Sequence, residues 1–380
     1  MNSALFLEKI KRLGVDFYTG VPDSQLKALC DELYANYKLG RDHIVAANEG
    51  AAVGLAAGHY LATGKPALVY MQNSGIGNAI NPIASLTNEN VYKIPMVFVI
   101  GWRGEPGVKD EPQHVFQGKI TTALLDVLEI PYYILDQETS ESDLEQYLKA
   151  TEKVLAEEKS VAFVVRKGAL TREGKVDYSN SNTTTREAAL EALLKQTGED
   201  DIIVSTTGKL SRELFEIRER LGQGHERDFL TVGSMGHASM IAMGIALEKP
   251  ARTVWCLDGD GAALMHLGSM EIVATTECKN MIHVIFNNGT HETVGGMPVA
   301  YGKTDFPATA KAMGYGICKS ASSEDEIEET ISELRAEACT GFLEIKVANG
   351  ARGDLGRPTT TPIENKEVLM RKMRIRNEGY

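Results

Sequence analysis

The sequence predicts an α/β protein of two domains, each a parallel sheet flanked by helices. Three observations carry this. Short apolar runs of β type alternate with helix-length amphipathic segments along the whole chain, the sequence form of βαβ units. The runs are short and apolar throughout, as strands covered on both faces must be. Residues 168–185, GALTREGKVDYSNSNTTT, are polar and follow neither the helical nor the strand period, so they divide the alternation into two halves.

In the first half, strands are expected at residues 16–19, 43–46, 67–71, 96–101, 132–135 and 161–166, with helices between most of them. The second half has the same rhythm, with strands expected at 202–205, 229–231, 253–257, 281–286, 315–318 and 341–347. The domain bounds that follow are 1–167, a linker at 168–185, a second domain at 186–350 and a tail at 351–380. No sequence repeat is strong enough to make the halves duplicates on residues alone. The tail is rich in Gly, Pro and Thr before a last short helix, and is expected to wrap over the surface.

Forty Lys and Arg against 52 Asp and Glu leave a net charge of −12, with no basic patch to grip nucleic acid or an anionic membrane. The partner expected is therefore a small molecule. The cysteines, Cys30, Cys256, Cys278, Cys318 and Cys339, are odd in number and form no CxxC pair, which argues against a disulfide framework or zinc site. The N-terminal MNSALFLEKIKRLGV reads as a short helix with charges inside it, and no uncharged apolar run reaches spanning length. A cytoplasmic location is expected.

The sharpest motif is WCLDGDGAALM followed by HVIFNNGTHETVGG. One apolar strand ends in Gly259-Asp260-Gly261 and another in Asn287-Asn288, with 25 residues between Gly261 and Asn287, room for a crossover helix. Both motifs then lie at the carboxyl ends of parallel strands, where such sheets bind ligands. A carboxylate, an amide oxygen and a backbone carbonyl are the hard oxygen ligands that Mg²⁺ prefers. The glycines would let the backbone approach a pyrophosphate closely.

Thr206-Thr207-Gly208-Lys209 is not a P-loop, because Leu210 follows the lysine and the GxxxxGK[ST] spacing is absent. In HIVAANEGAAVGLAAGHYLATGKPALVYMQNSGIGNAINPI the one acidic residue is Glu49, where a strand gives way to an Ala/Gly-rich helix. It is either a first-turn glutamate favoured by the helix dipole or a carboxylate with a chemical task. Asp23 and Ser24, after a strand and Pro22, are N-cap or site residues, and the 110–118 stretch offers Gln113, His114 and Gln117 on a polar loop. Arg103, Lys109, Arg352 and Arg357 are loop cations suited to an anionic group. His291 and Glu292 are further candidates for proton transfer.

Together these motifs resemble those of the thiamine-diphosphate-dependent decarboxylase family, over roughly residues 1–350 and without the middle domain of the longer members. The resemblance implies two thiamine-diphosphate-binding-type domains, one for the pyrimidine and one for the diphosphate, with thiamine diphosphate and Mg²⁺ as cofactors. By the family's pattern Asp260 and Asn288 bind the metal through their side chains and Thr290 through its carbonyl, with Asn287 as the fallback ligand. Gly259, Gly261, Ala262, Gly208 and Lys209 fall at the diphosphate.

In LTVGSMGHASMIAMGIALEKP, the Gly233 carbonyl receives the aminopyrimidine and Met235 supports the bent cofactor, by the same resemblance. Without the GDG neighbour this would read as a Gly-rich turn into a packed helix. Glu49 becomes the proton relay at the pyrimidine ring, and Asp23 and His114 manage protons at the reacting substrate. Ser24, Arg103, Lys109, Gln113, Gln117, His291 and Arg352 fall on the substrate side.

In this family the cofactor lies between domains of different subunits, which implies a homo-oligomer, at least a dimer. YTGVPDSQLK, GEPGVKDEPQHVFQG and GRPTTTPIENK point to the branch acting on a small anionic 2-oxo acid with a phosphono group. A sulfo group or a carboligase reaction is the alternative. A catalytically silent binding module is disfavoured by the joint presence of Glu49, Asp260 and Asn288, and a Rossmann dehydrogenase by the lack of an early GxGxxG.

Overall fold

A computed structural model describes residues 1–276, 278–299 and 302–374. The chain forms two compact units. One comprises Met1–Asp177 with the stretch from His291 to Val299; the other comprises Tyr178–Thr290 and the chain from Gly302 onward.

In the first unit the strands are β1 (Tyr18–Gly20), β2 (His43–Val45), β3 (Ala67–Gln72), β4 (Met96–Gly101), β5 (Tyr132–Leu135) and β6 (Val161–Val165). They form one parallel sheet in the order β2-β1-β3-β4-β6-β5. The runs MVFVIG and VAFVV are buried at every position, because helices cover both faces. Fully burying each such Val, Ile or Phe stabilises the fold by about 1.5–3 kcal/mol.

The second unit holds β7 (Ile202–Ser205), β8 (Asp228–Leu230), β9 (Val254–Gly259) and β10 (Met281–Asn287). The chain then forms a two-stranded pair, β11 (Thr290–His291) and β12 (Met297–Pro298), mostly in the stretch that belongs to the first unit, and the second unit resumes with β13 (Ile317–Ala321) and β14 (Gly341–Lys346). The six long strands form a second parallel sheet in the order β13-β14-β10-β9-β7-β8. Read from its other end this is the topology of the first sheet, so the units are duplicates in topology even though their residues do not reveal it.

In each sheet two neighbouring strands have their following connections run in opposite directions away from each other, β1 and β3 in the first and β7 and β9 in the second. At such a point the loops leave the strand ends in opposite directions and open a crevice. Asp23 follows β1, and Gln72 ends β3. Gly208 and Lys209 follow β7, and Gly259-Asp260 lies at the end of β9.

The twelve expected strands are all present, with small differences. Tyr315 and Gly316 precede β13, because Tyr315 is buried and its hydroxyl meets His283 Nδ1 at 3.0 Å. The β11–β12 pair was not expected, since two-residue strands carry no period. The expected linker is bound at both ends. Thr171 bridges to Asn2, and Ala169 and Leu170 are buried. Asn180 and Asn182 both donate to the Val347 carbonyl, at 3.0 Å each. The tail docks on the second sheet: the Asn365 amide accepts from Leu230 N–H at 3.0 Å and donates to the Asp228 carbonyl at 2.8 Å, covering edge strand β8. Among the described residues no helix is long and apolar enough to cross a membrane.

Candidate active site

In the first unit, Asn48 caps the helix Glu49–Thr63 by accepting from Ala51 N–H at 2.8 Å, which places Glu49 at its first position. Ala52, Val53, Ala56 and Ala57 are buried, so small residues bring this helix close to the sheet. Glu49 itself is only 5% exposed. Burial pushes its carboxyl above the usual range, opposed by the Asn78 amide, which donates to Oε2 at 2.9 Å. A Cβ on Gly75 would lie 2.5 Å from Glu49 Oε1, so a side chain there would displace the carboxylate. A solvated first-turn glutamate is therefore excluded.

Asp23 is wholly buried. Its Oδ1 accepts from Gln72 Nε2 at 2.6 Å and its Oδ2 from Gln25 N–H at 3.0 Å. Burial raises its carboxyl, while Gln72 and the Arg103 charge act in the other direction. Gly101 leaves room for Oδ2, which would lie 2.0 Å from a Cβ there.

Arg103 is gripped by Asp110 through Nε at 2.8 Å and NH2 at 2.5 Å, and its NH1 donates to Ser24 Oγ at 3.0 Å. Burial alone would raise Asp110, but Arg103 and the N–H groups of Glu111 and Gly104 hold it well below the ordinary carboxylate range. The loop is pinned to the helix Pro112–Val127 by close approach, since a Cβ on Gly118 would lie 1.7 Å from the Gly104 carbonyl oxygen. On that helix, burial and then the Arg103 charge pull His114 down to about 4, so its imidazole is neutral at pH 7. Gln113 and Gln117 are half-buried beside it, and Lys109 is exposed. The structure thus gathers Asp23, Ser24, Arg103 and His114 with the unpredicted Gln72, Asn73 and Asp110. Asn73 fixes the loop, accepting from Arg103 N–H at 3.2 Å and donating to its carbonyl at 2.8 Å. His291 is also in this unit, buried, with its imidazole pulled by burial to about 4.

In the second unit, Gly208 has φ +106°, a conformation open to glycine, and it opens the helix Lys209–Arg220. Thr207 Oγ1 accepts from Gly233 N–H at 3.1 Å, tying the β7 loop to the Gly233–Met235 loop. Gly233, Ser234 and Gly236 all have positive φ, so this loop is tightly bent around a half-buried Met235.

Asp260 begins the helix Asp260–Met265 and is 5% exposed. Its Oδ1 accepts from Gly261 N–H and its Oδ2 from Gly289 N–H, each at 2.7 Å. Burial still pushes its carboxyl up to about 7, a penalty that a divalent cation would reverse. Asn287 donates to Glu344 Oε1 at 2.7 Å, which turns its side chain toward β14. Asn288 is buried, its Oδ1 accepting from Thr290 N–H at 2.9 Å and its carbonyl from Asn180 and Asn349 at 2.9 and 3.1 Å. Asp260 through Gly289 N–H and Asn288 through Thr290 N–H thus hold the same short turn, and carboxylate and amide oxygens are the hard ligands that Mg²⁺ prefers.

The Arg352 guanidinium is taken up by Glu187, at 3.0 Å from Nε, and by Glu216 and Asp354. A further grouping escaped the sequence because its members meet across strands. Cys256, Asp258 and His283 are buried with candidate ligand atoms within 4.8 Å of one another, and His283 is in register with Cys256. Asp258 Oδ1 accepts from Gly259 N–H at 2.9 Å, so it braces the turn that presents Asp260.

Residues 2–126 match the thiamine pyrophosphate enzyme, N-terminal TPP binding domain, and residues 206–345 match the C-terminal TPP binding domain. The chain is 34% identical to phosphonopyruvate decarboxylase of Streptomyces viridochromogenes, over 93% of this chain and 90% of that protein. It is 33% identical to phosphonopyruvate decarboxylase of Streptomyces hygroscopicus, over 96% and 92%. Sulfopyruvate decarboxylase of Methanosarcina acetivorans is 26% identical, over 90% of each chain. The chain therefore belongs to the thiamine pyrophosphate enzymes, as a two-domain member that matches these decarboxylases over nine-tenths or more of its length.

Proposed function

We propose that the protein decarboxylates 3-phosphonopyruvate to phosphonoacetaldehyde and CO₂, with thiamine diphosphate and Mg²⁺. The observation that carries the substrate is the higher identity to the two phosphonopyruvate decarboxylases than to the sulfopyruvate decarboxylase, over nearly the whole chain in each case.

Bound thiamine diphosphate would supply a nucleophilic carbon for the keto group and an acceptor for the electron pair left behind when the C–CO₂ bond breaks. Asp260, Asn288 and the Thr290 carbonyl would hold Mg²⁺ against the diphosphate, with Gly259, Gly261, Ala262, Gly208 and Lys209 around its oxygens. Gly233 and Met235 would seat the pyrimidine. Glu49, buried and raised, holds or releases a proton at a pyrimidine ring nitrogen. Asp23 and neutral His114 would manage the two proton movements, one onto the carbon that loses CO₂ and one away from the departing aldehyde.

The phosphono group needs positive charge and donors. Arg103, oriented by Asp110 and paired with Ser24, supplies them, with Gln113, Gln117 and Lys109 at its margins. His291 is a further candidate on this side. Arg103→Ala is expected to raise KM for phosphonopyruvate by about 10–100-fold, the loss of a charge-assisted contact, with a smaller effect on kcat. Steady-state kinetics with phosphonopyruvate, sulfopyruvate and pyruvate check both points; a KM unchanged in the variant removes Arg103 from the anion site, and a preference for sulfopyruvate in the wild type corrects the substrate.

We further propose a homo-oligomer, at least a dimer, as the resemblance implies, and a cytoplasmic location, in keeping with five free thiols. Sedimentation at working concentrations is expected to show no monomer in the active fraction; full activity in a monomer would contradict it.

A further inference from the structure

The polar chain behind Asp23 has a direction. β3 ends at Gln72, and the tight turn Asn73–Gly75 follows. Ser74 Oγ donates to Gln72 Oε1 at 2.7 Å, and Gln72 Nε2 donates to Asp23 Oδ1 at 2.6 Å. A primary amide has one accepting and one donating end. With the Ser74 hydroxyl on the oxygen, the NH₂ end must face Asp23. Donors favour the ionised carboxyl, whereas an amide oxygen turned toward it would favour the protonated form.

Of the groups that favour the ionised form of Asp23, the amide acts most strongly, and the others are few. From the loop after β4 comes Arg103, whose charge is shared with Asp110. From the helix Lys27–Asn36 comes Cys30, a thiol kept neutral by burial. On its own segment are the N–H groups of Ser24 and Gln25.

We propose that Gln72 and Ser74 are positioning residues for the decarboxylation: the Ser74 hydroxyl orients the Gln72 amide so that its NH₂ end holds Asp23 as the carboxylate, ready to accept a proton. The proposal rests on the role given to Asp23 above, and its test does not depend on turnover.

The Asp23 carboxylic C=O band is followed by infrared difference spectroscopy of the cofactor-loaded enzyme across pH, with Asp23→Asn as the blank. In Ser74→Ala the amide is free to turn, and the midpoint is expected to rise by about one pH unit, a tenfold change in the ionisation constant. Gln72→Leu is expected to raise it at least as far, and Ser74→Thr to restore it. The acid limb of kcat/KM is expected to move with the midpoint. An unmoved midpoint in both Ser74→Ala and Gln72→Leu, with kcat lowered equally at every pH, overturns the proposal. If the wild type turns over none of the 2-oxo acids, the reading of its substrate fails while the infrared midpoint still decides the role of the amide.

Discussion

Glu49→Gln is expected to lower kcat by about 10³-fold or more, at the upper part of the range for a lost general acid–base group, while thiamine diphosphate still binds. The substitution keeps the shape and an oxygen for the Asn78 amide, so the helix and the pocket beside Gly75 persist. What disappears is the ionisable group. The folded carboxyl is raised by burial, so the folded state holds this proton to higher pH than the unfolded state does, and stability falls as pH rises through that window. At neutral pH the wild type bears that cost and the glutamine does not. A Tm equal to or above that of the wild type is therefore expected beside the lost activity. Single-turnover assays, titration calorimetry with the cofactor and thermal melts check the three parts, and near-wild-type rates would remove Glu49 from the chemistry.

Asp260→Asn has the second large effect, on cofactor retention. The carboxylate accepts two backbone N–H groups that also shape the turns at Gly261 and Gly289, so the asparagine keeps the volume but can satisfy only one of them with its oxygen. It also removes the formal charge that a divalent cation would meet. Loss of a direct ligand is expected to exceed the ~10–100-fold effect of removing an outer partner, so Mg²⁺-dependent thiamine diphosphate binding is expected to weaken by more than about 100-fold. Equilibrium dialysis at fixed Mg²⁺ measures it. Unchanged affinity would move the metal to another set of oxygens.

The strands were legible because a parallel strand buried on both faces is a continuous apolar run, as in MVFVIG and VAFVV. Asp260 and Glu49 were legible for a related reason: each is an acid placed where an apolar strand gives way to glycines and alanines. The duplicated topology was not, because it resides in strand order and many different apolar runs satisfy it. Gln72, Asn78 and Asp110 were missed because an amide at a strand end or within a helix, or a carboxylate in a loop, shows nothing of its partner until the fold brings Asp23, Glu49 and Arg103 against it. The same physics reassigns Arg352, a loop cation by sequence, to the carboxylates of Glu187, Glu216 and Asp354. The expected linker looked free because its asparagines have no period, yet Asn180 and Asn182 close the carbonyl end of β14.

The central claim is cofactor-dependent loss of CO₂ from phosphonopyruvate, and its most direct measurement is CO₂ and aldehyde release by the purified protein. Phosphonopyruvate, sulfopyruvate and pyruvate are offered separately, with thiamine diphosphate and Mg²⁺ both present or either one withheld. Release of CO₂ and phosphonoacetaldehyde in equal amounts, fastest with phosphonopyruvate and abolished when either cofactor is withheld, is the predicted result. No release from any of the three acids with both cofactors bound would contradict the account.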